Sequence, residues 1–149
     1  MTDQRPFMKS YVLALDLEGT LISNAMSQIP WPGLAGFLNR CAELFPRIVM
    51  FTPLSRKNGS GRSRAYWWTR ASRPPWFAEV EYITWQGETK NLRFVPGVHP
   101  HQVLPVDDFE KYVHLGQEAQ WLQIEHFDHP YSSADTGLAN MLNTLAARI

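Results

Sequence analysis

Cysteine is almost absent from the chain: its 149 residues include only Cys41. A single cysteine excludes a disulfide within the chain, so the stability of the fold must come from packing. The position of Cys41 in a helical pattern of apolar residues favours a small buried side chain over a reactive thiol. Because disulfides are rare in reducing compartments, we expect a cytoplasmic protein.

Long apolar runs and net charge are also absent. No apolar stretch approaches the roughly 18 residues of a membrane span, and Met1 to Ser10 lacks the apolar core of a signal peptide. Lys and Arg together number 14, as do Asp and Glu, so the formal net charge is zero. A neutral chain has no long-range field that draws it to nucleic acids or acidic membranes. We therefore expect no membrane association, and nucleic-acid binding only through a local basic patch.

The chain does contain an alternation of apolar strands and amphipathic helices. Its 44% hydrophobic content is enough for the core of one domain, which we expect to span residues 1–149. Helices are predicted after Pro32, from Ser63 to about Ser72, and after a cap at Asp135. This order predicts an α/β fold, with a mainly parallel sheet covered by helices on both faces. The predicted strands are Val12 to Leu15, Ile48 to Phe51, Val80 to Trp85, Gln102 to Val106 and Trp121 to Ile124.

Two carboxylates follow the first apolar strand directly. Asp16 and Glu18 are two residues apart, and Gly19 and Thr20 then provide a turn. A buried parallel strand delivers its next residue to the carboxyl edge of the sheet, where open α/β folds bind ligands. An Asp in that position can attack phosphorus, and a second acid beside it can transfer protons. The pattern is typical of phosphoryl transfer.

Four short motifs follow one another along the chain: Asp16-Leu17-Glu18-Gly19-Thr20, the strand Ile48 to Thr52, Lys90-Asn91-Leu92, and the strand from Val103 that closes on Asp107-Asp108. In this order they resemble the motifs of the haloacid-dehalogenase-like superfamily. The chain is most similar to the branch of NLI-interacting-factor-like and CTD-type phosphatases. The branch's Arg-Pro-Gly-Leu helix entry resembles Trp31-Pro32-Gly33-Leu34, with Trp31 in place of Arg.

The resemblance implies a three-layer α/β sandwich and a Mg²⁺-dependent phosphomonoester phosphatase. Asp16 would attack phosphorus and form an aspartyl-phosphate. Glu18 would protonate the leaving oxygen and then activate water, while Thr52 and Lys90 would bind the phosphate group. The cycle needs no organic cofactor. The metal ligands implied are Asp16, a backbone carbonyl near Glu18, and Asp107 or Asp108.

Glu18 is the position at which the sequence departs from the resembled family, whose members mostly have Asp there. Glu carries its carboxyl group about one bond length further out, and a displacement of about 1 Å can cost on the order of a hundredfold in rate. One interpretation is a backbone adapted to Glu18. A second is a weak or inactive domain that binds phosphate or a protein partner, and a third is a polynucleotide-end phosphatase.

The segments in which this superfamily carries a large cap domain are short. Leu21 to Ile29 and Pro53 to Val80 leave room for a flap and one helix, which implies an open site. Its phosphorylated substrate would be a macromolecule, or a small molecule enclosed by an oligomeric partner. The second segment is basic and aromatic and could contact a phosphorylated polymer. A helix packed on the sheet is favoured, because adjacent Trp67 and Trp68 cannot both face a groove. The histidines lack metal-ligand spacing and are interpreted as surface or loop residues: His99, His101, His114, His126 and His129.

Overall fold

A computed structural model describes residues 10–24, 28–55, 73–126 and 135–149. These residues form a five-stranded sheet in which every pair of neighbouring strands is parallel. The strand order is β3-β2-β1-β4-β5. The predicted α/β class and parallel sheet are confirmed. The strands are β1 (Val12–Leu15), β2 (Arg47–Met50), β3 (Glu81–Tyr82), β4 (Val103–Asp107) and β5 (Leu122–Gln123).

Strand β1 lies at the centre of the sheet because both of its faces are apolar. All four of its residues are buried. Leu13 and Leu15 belong to the core on one face of the sheet, whereas Val12 and Ala14 belong to the core on the other. Strands β2 and β4 flank β1, so the chain extends the sheet first to one side and then to the other. The gap between β1 and β4 is therefore a topological switch point.

Both α-helices of the described chain pack on the face to which Leu13 and Leu15 point. They are α1 (Leu34–Leu44) and α2 (Gly137–Arg148). Helix α1 buries the apolar residues that its spacing predicts, and α2 buries its own apolar stripe against the same core: Leu34, Phe37, Leu38 and Cys41 from α1, and Leu138, Met141 and Leu145 from α2. Neither helix is long and apolar enough to cross a membrane.

Trp31, which replaces the Arg of the resembled branch, joins the start of α1 to the start of α2. Its ring is buried, and its Nε1 donates a hydrogen bond of 2.7 Å to Asp135 Oδ1. The same oxygen accepts the Gly137 backbone N–H at 2.8 Å. Helix α2 thus begins one residue later than a cap at Asp135 predicts, yet the carboxylate still satisfies its first N–H. A Cβ at Gly137 would lie 2.1 Å from the Trp31 ring, so this close approach needs glycine.

The second face of the sheet is covered, within the described residues, by irregular and 3₁₀ segments. Trp85, Leu92 and Val95 pack there against Val12 and Ala14. The predicted helix from Ser63 to Ser72 lies outside the described residues.

The edge strands are shorter than the sequence predicts. In the segment Val80 to Trp85, only Glu81–Tyr82 form a strand. Ile83 N still donates to Met50 O at 2.8 Å, but its carbonyl accepts the Ser55 hydroxyl at 2.7 Å instead of a strand neighbour. Strand β5 is likewise reduced to Leu122–Gln123. An apolar run marks what is buried, whereas the length of an edge strand depends on its single neighbour.

Candidate metal centre

The first two acidic residues of the candidate centre lie at the carboxyl ends of the adjacent strands β1 and β4. Leu15 pairs with Val106, so Asp16 and Asp107 are the next residues along two adjacent strands. Asp16 N donates to Val106 O at 3.1 Å, which continues the ladder to the edge of the sheet. Asp108 follows immediately. The switch point between the two strands therefore brings together three carboxylates from positions far apart in the sequence.

Lys90 adds a positive charge to this group. Its backbone N–H donates to Tyr112 O at 2.7 Å, which ties the loop to the segment after β4. Its Nζ donates to Asp16 Oδ1 at 3.0 Å and also contacts Asp107 Oδ2. The ammonium lies 4.8 Å from the centre of the Tyr112 ring, within range of a cation–π interaction. Only 5% of the Lys90 side chain is exposed, so the ammonium is stabilised by the two carboxylates rather than by hydration.

The turn after β1 adds a hydroxyl between two of the acids. The backbone N–H groups of Thr20, Leu21 and Ile22 all donate to Leu17 O, which closes a single helical turn. The Thr20 Oγ1 atom lies 3.2 Å from Asp16 Oδ2 and 3.2 Å from an oxygen of Asp108. A hydroxyl carries one proton, so it bonds one carboxylate at a time and links the two.

The arrangement of charges could accommodate a metal ion. One carboxylate oxygen from each of Asp16, Asp107 and Asp108 lies within 4.8 Å of the others. Three carboxylates face one ammonium, so the ionised cluster carries two negative charges in excess. Hard divalent cations take carboxylate oxygens as ligands and would supply the missing charge. The three aspartates therefore fit a divalent cation in both donor type and charge.

Burial and charge separate the pKa values of the cluster. Burial raises the pKa of Asp16 well above its ordinary 3.8, although the Lys90 ammonium opposes the rise. Burial likewise raises the pKa of Asp107. For Lys90, burial alone would lower the pKa, but the Asp16 and Asp107 carboxylates outweigh it and raise the pKa above 10.5. Lys90 is therefore an ammonium at neutral pH, and the buried acids hold protons more readily than exposed ones.

Asp108 is half-buried, and its pKa is shifted in the opposite direction. Burial would raise the pKa of Asp108, but hydrogen bonding to Asp16 and His126 outweighs it and holds the pKa below 3.8. His126 Nδ1 lies 2.6 Å from Asp108 Oδ2. The sequence does not predict this contact, because the spacing of His126 from other possible ligands indicates no metal site. It arises from the fold: Ile124, two residues earlier, donates its N–H to Asp107 O and aligns the end of β5 with the acids.

Gly19 is required for the contact between His126 and Asp108. Its φ is +75°, a backbone conformation that residues with a side chain rarely adopt. A Cβ at this position would lie 2.6 Å from His126 Nδ1 and 2.7 Å from Asp108 Oδ2. The turn after β1 thus needs glycine both for its backbone angle and for the space that the two side chains occupy.

The structure does not bring the Glu18 carboxylate into the cluster. Glu18 is half-buried and forms a backbone bridge with Ile22. Within the described chain its side chain has no hydrogen bond or ion pair, and it is not one of the three grouped acids.

Thr52 lies at the same edge of the sheet, directly beyond β2, and is buried. The preceding Phe51 N donates to Leu15 O, so the end of β2 is aligned with the end of β1. The Thr52 carbonyl accepts the Trp85 indole N–H at 2.8 Å.

Three further histidines lie within the described residues. His99 and His101 are exposed, as the sequence indicates, whereas His114 is half-buried in a hydrogen-bonded network beside Lys90. His129 lies outside the described residues, as do Trp67, Trp68 and most of the basic and aromatic segment.

No protein-family model matches the chain, and a search of curated proteins found no match. The resemblance to haloacid-dehalogenase-like phosphatases therefore rests on the motifs of the chain itself.

Proposed function

We propose that this chain is a Mg²⁺-dependent phosphomonoester phosphatase of the haloacid-dehalogenase type. The observation that carries the proposal is the Lys90 ammonium, buried between Asp16 and Asp107 at the ends of two adjacent parallel strands. Buried like charges destabilise a fold, and such perturbed groups cluster at functional sites. A centre of this composition, at a switch point of a parallel sheet, is suited to binding a phosphate group and a cation together.

The proposed metal ligands are Asp16, Asp107 and Asp108, whose oxygens fit a hard divalent cation. When bound, the ion would offset the negative charge that develops on the phosphoryl oxygens. Mg²⁺ is favoured because it is commonly bound by one or two carboxylates together with substrate phosphates.

Asp16 is the proposed nucleophile. Lys90 contacts its Oδ1 and Thr20 contacts its Oδ2, so the carboxylate is held in one orientation. Attack of an Asp16 oxygen on phosphorus forms a covalent aspartyl-phosphate and breaks the bond to the leaving alcohol. The Lys90 charge offsets the repulsion between the carboxylate and the phosphate dianion. Water then attacks the phosphorus, releases phosphate and restores the carboxylate.

Glu18 is the proposed acid and base of this cycle. It would give a proton to the leaving oxygen and later take one from the attacking water. Thr52 is proposed to donate its hydroxyl to a phosphate oxygen. The proposal includes the family's three-layer sandwich without a large cap, which leaves the site open to a phosphorylated macromolecule.

A second candidate is a catalytically weak domain that binds phosphate or a protein partner. Glu18 favours it, because the longer side chain stands where the resembled family mostly has Asp and makes no contact with the acids.

Hydrolysis of an aryl phosphate with Mg²⁺ or with EDTA tests the proposal. We expect turnover by the wild type that requires Mg²⁺, and none by Asp16→Asn, which keeps the shape of the side chain but is a poor nucleophile. Beryllofluoride with Mg²⁺ should mimic the aspartyl-phosphate and stabilise the wild type, by about 2.7 kcal/mol at a hundredfold excess over Kd.

Turnover by Asp16→Asn close to that of the wild type would exclude the covalent mechanism. Stabilisation by beryllofluoride without turnover would favour the second candidate. A phosphopeptide compared with a phosphorylated oligonucleotide then separates a protein substrate from a polynucleotide end.

A further inference from the structure

One imidazole ring contacts the residues on both sides of Lys90. His114 Nδ1 lies 2.7 Å from the Thr89 hydroxyl, and its Nε2 lies 3.2 Å from Asn91 Nδ2. The ring is half-buried and lines a cavity of about 800 Å³ with Gln117 and other polar residues. His114 thus links the side chains of Thr89 and Asn91, the two residues that flank Lys90 in the chain.

The hydrogen bonds around Asn91 determine which nitrogen of His114 carries the proton. The Arg93 backbone N–H can only donate, and it donates to Asn91 Oδ1 at 3.0 Å. Gln117 is oriented in the same way: its Oε1 accepts the Leu92 backbone N–H, so its amide nitrogen donates to Asn91 Oδ1. Because two groups donate to the same atom of the Asn91 amide, that atom is the oxygen. The other atom, the Asn91 nitrogen, therefore donates toward His114.

His114 Nε2 is consequently an acceptor and carries no proton. The proton of the neutral ring is on Nδ1 and is donated to the Thr89 hydroxyl. This chain of donors and acceptors admits one tautomer of a neutral His114. A protonated ring would turn an N–H toward the Asn91 amide N–H.

Fixing the backbone at Lys90 matters because a lysine side chain has four flexible methylene groups. The Lys90 Nζ lies between Asp16 and Asp107. Each rotatable bond of the side chain adds to the conformational entropy that is lost when the ammonium is held there. The bond from Lys90 N to Tyr112 O fixes one point of the loop. The His114 ring fixes the residues before and after it.

We propose that His114, as its neutral Nδ1–H tautomer, is the positioning residue of Lys90. It acts on Lys90 through its hydrogen bonds to Thr89 and Asn91. The consequence for phosphate binding rests on the proposed function, whereas the tautomer and the placement of Lys90 do not.

Nuclear magnetic resonance of the ¹⁵N-labelled full chain tests the tautomer directly, through correlations between the ring nitrogens and their carbon-bound protons. At neutral pH we expect the Nδ1–H form for His114. A neutral ring protonated at Nε2 would overturn the inference, whether or not the chain has phosphatase activity.

Two substitutions test the placement of Lys90. His114→Phe keeps a planar ring and removes both nitrogens, whereas His114→Gln offers one N–H and one carbonyl oxygen. His101→Gln is the matched control, since this histidine is exposed on the same cavity. Reductive methylation followed by mass spectrometry measures the accessibility of Lys90, with the exposed Lys111 as the internal reference.

We expect His114→Phe to raise the methylation rate of Lys90 by about tenfold, since two hydrogen bonds are lost. His114→Gln should recover part of the protection, and His101→Gln should match the wild type. Kd for beryllofluoride should rise in parallel with the methylation rate. Protection of Lys90 unchanged in His114→Phe would overturn the positioning role. Loss of protection with unchanged beryllofluoride affinity would preserve that role and instead contradict the proposed function of Lys90.

Discussion

The Nζ atom of Lys90 lies 3.0 Å from Oδ1 of Asp16, and both side chains are at most 5% exposed. A buried ion pair contributes little to stability when intact, because desolvation offsets most of the attraction, but it is costly to break. The ammonium also contacts Asp107. The same atoms therefore determine the stability of the fold at this edge and the chemistry proposed for it.

Replacing Lys90 with an apolar side chain should destabilise the protein strongly. We expect Lys90→Met to lower the free energy of unfolding by about 3 to 5 kcal/mol, because Asp16 and Asp107 are left buried without their cation. Urea unfolding in EDTA at neutral pH measures the change. Lys111→Met is the control at an exposed position and should stay within about 0.5 kcal/mol of the wild type. Equal effects of the two substitutions would show that the buried pair is not formed in solution.

The stability of the metal-free protein should depend on pH through Asp16. Burial raises its pKa well above 3.8, so the folded state keeps a proton that the unfolded chain has released. Stability from that proton is fully present below 3.8 and is lost as the pH rises through the folded-state pKa, by up to about 1.4 kcal/mol per pH unit.

Asp16→Asn has no such proton and is the matched variant for this measurement. Urea unfolding in EDTA from about pH 4 to about pH 8 should show the wild type losing stability relative to Asp16→Asn as the pH rises. Excess Mg²⁺ should reduce the difference, because a bound cation favours the ionised carboxylate. Parallel curves without Mg²⁺ would exclude a raised pKa at Asp16.

Gly19 and Gly97 provide a matched pair for the turn after β1. Both have a φ of +75°, but a Cβ at Gly97 meets nothing within 4 Å, whereas one at Gly19 meets His126 and Asp108. Each Gly→Ala change should cost about 1 to 2 kcal/mol for the backbone angle. Gly19→Ala should cost about 1 kcal/mol more, because the contact between His126 and Asp108 is lost.

Isothermal titration with Mg²⁺ separates the two effects. Gly19→Ala should weaken Mg²⁺ binding by displacing Asp108, and Gly97→Ala should leave it unchanged. Equal Mg²⁺ affinities in the two variants would mean that Asp108 is not a ligand or that it adapts to the added methyl group.

Glu18 variants test the residue in which the chain departs from the family that it resembles. Glu18→Gln should lose orders of magnitude in turnover and accumulate phosphoenzyme on an aryl phosphate, because water is no longer activated. If the backbone is adapted to Glu, Glu18→Asp should be slower by about tenfold to a hundredfold. The measurement is kcat and the phosphoenzyme burst on an aryl and an alkyl phosphate. Equal rates for the wild type and Glu18→Gln on the alkyl substrate would refute a role in proton transfer.

The sequence predicts the central sheet well because burial there leaves a direct trace. The continuous apolar run from Val12 to Leu15 predicts a strand that is buried on both faces, and the structure has an apolar core on each side of it. The position of Asp16 at the carboxyl edge follows from the strand alone. By contrast, the short edge strand β3 cannot be read from Val80 to Trp85, because its length depends on which carbonyl the Ser55 hydroxyl reaches.

Contacts between distant segments are what the sequence leaves out. Nothing near His126 indicates that it meets Asp108, and nothing near His114 indicates that it spans the neighbours of Lys90. In the sequence, Trp31 is notable only because it stands where the resembled branch has Arg. Its contact with Asp135, before α2, is seen only in the fold. Each contact needs the strand order or the path of a loop, which local patterns do not encode.

The order of the strands has a consequence for protein synthesis. Thr20 and Asp108, which share a hydrogen bond, are 88 residues apart. Asp16 therefore cannot form the centre until β4 has been synthesised. During translation at roughly 5 to 20 residues per second, that wait lasts several seconds. A nascent chain holding β1 and β2 therefore has only one side of its central strand paired. The candidate metal centre should therefore form only after β4 has been synthesised, and a ribosome stalled before β4 would carry a chain without it.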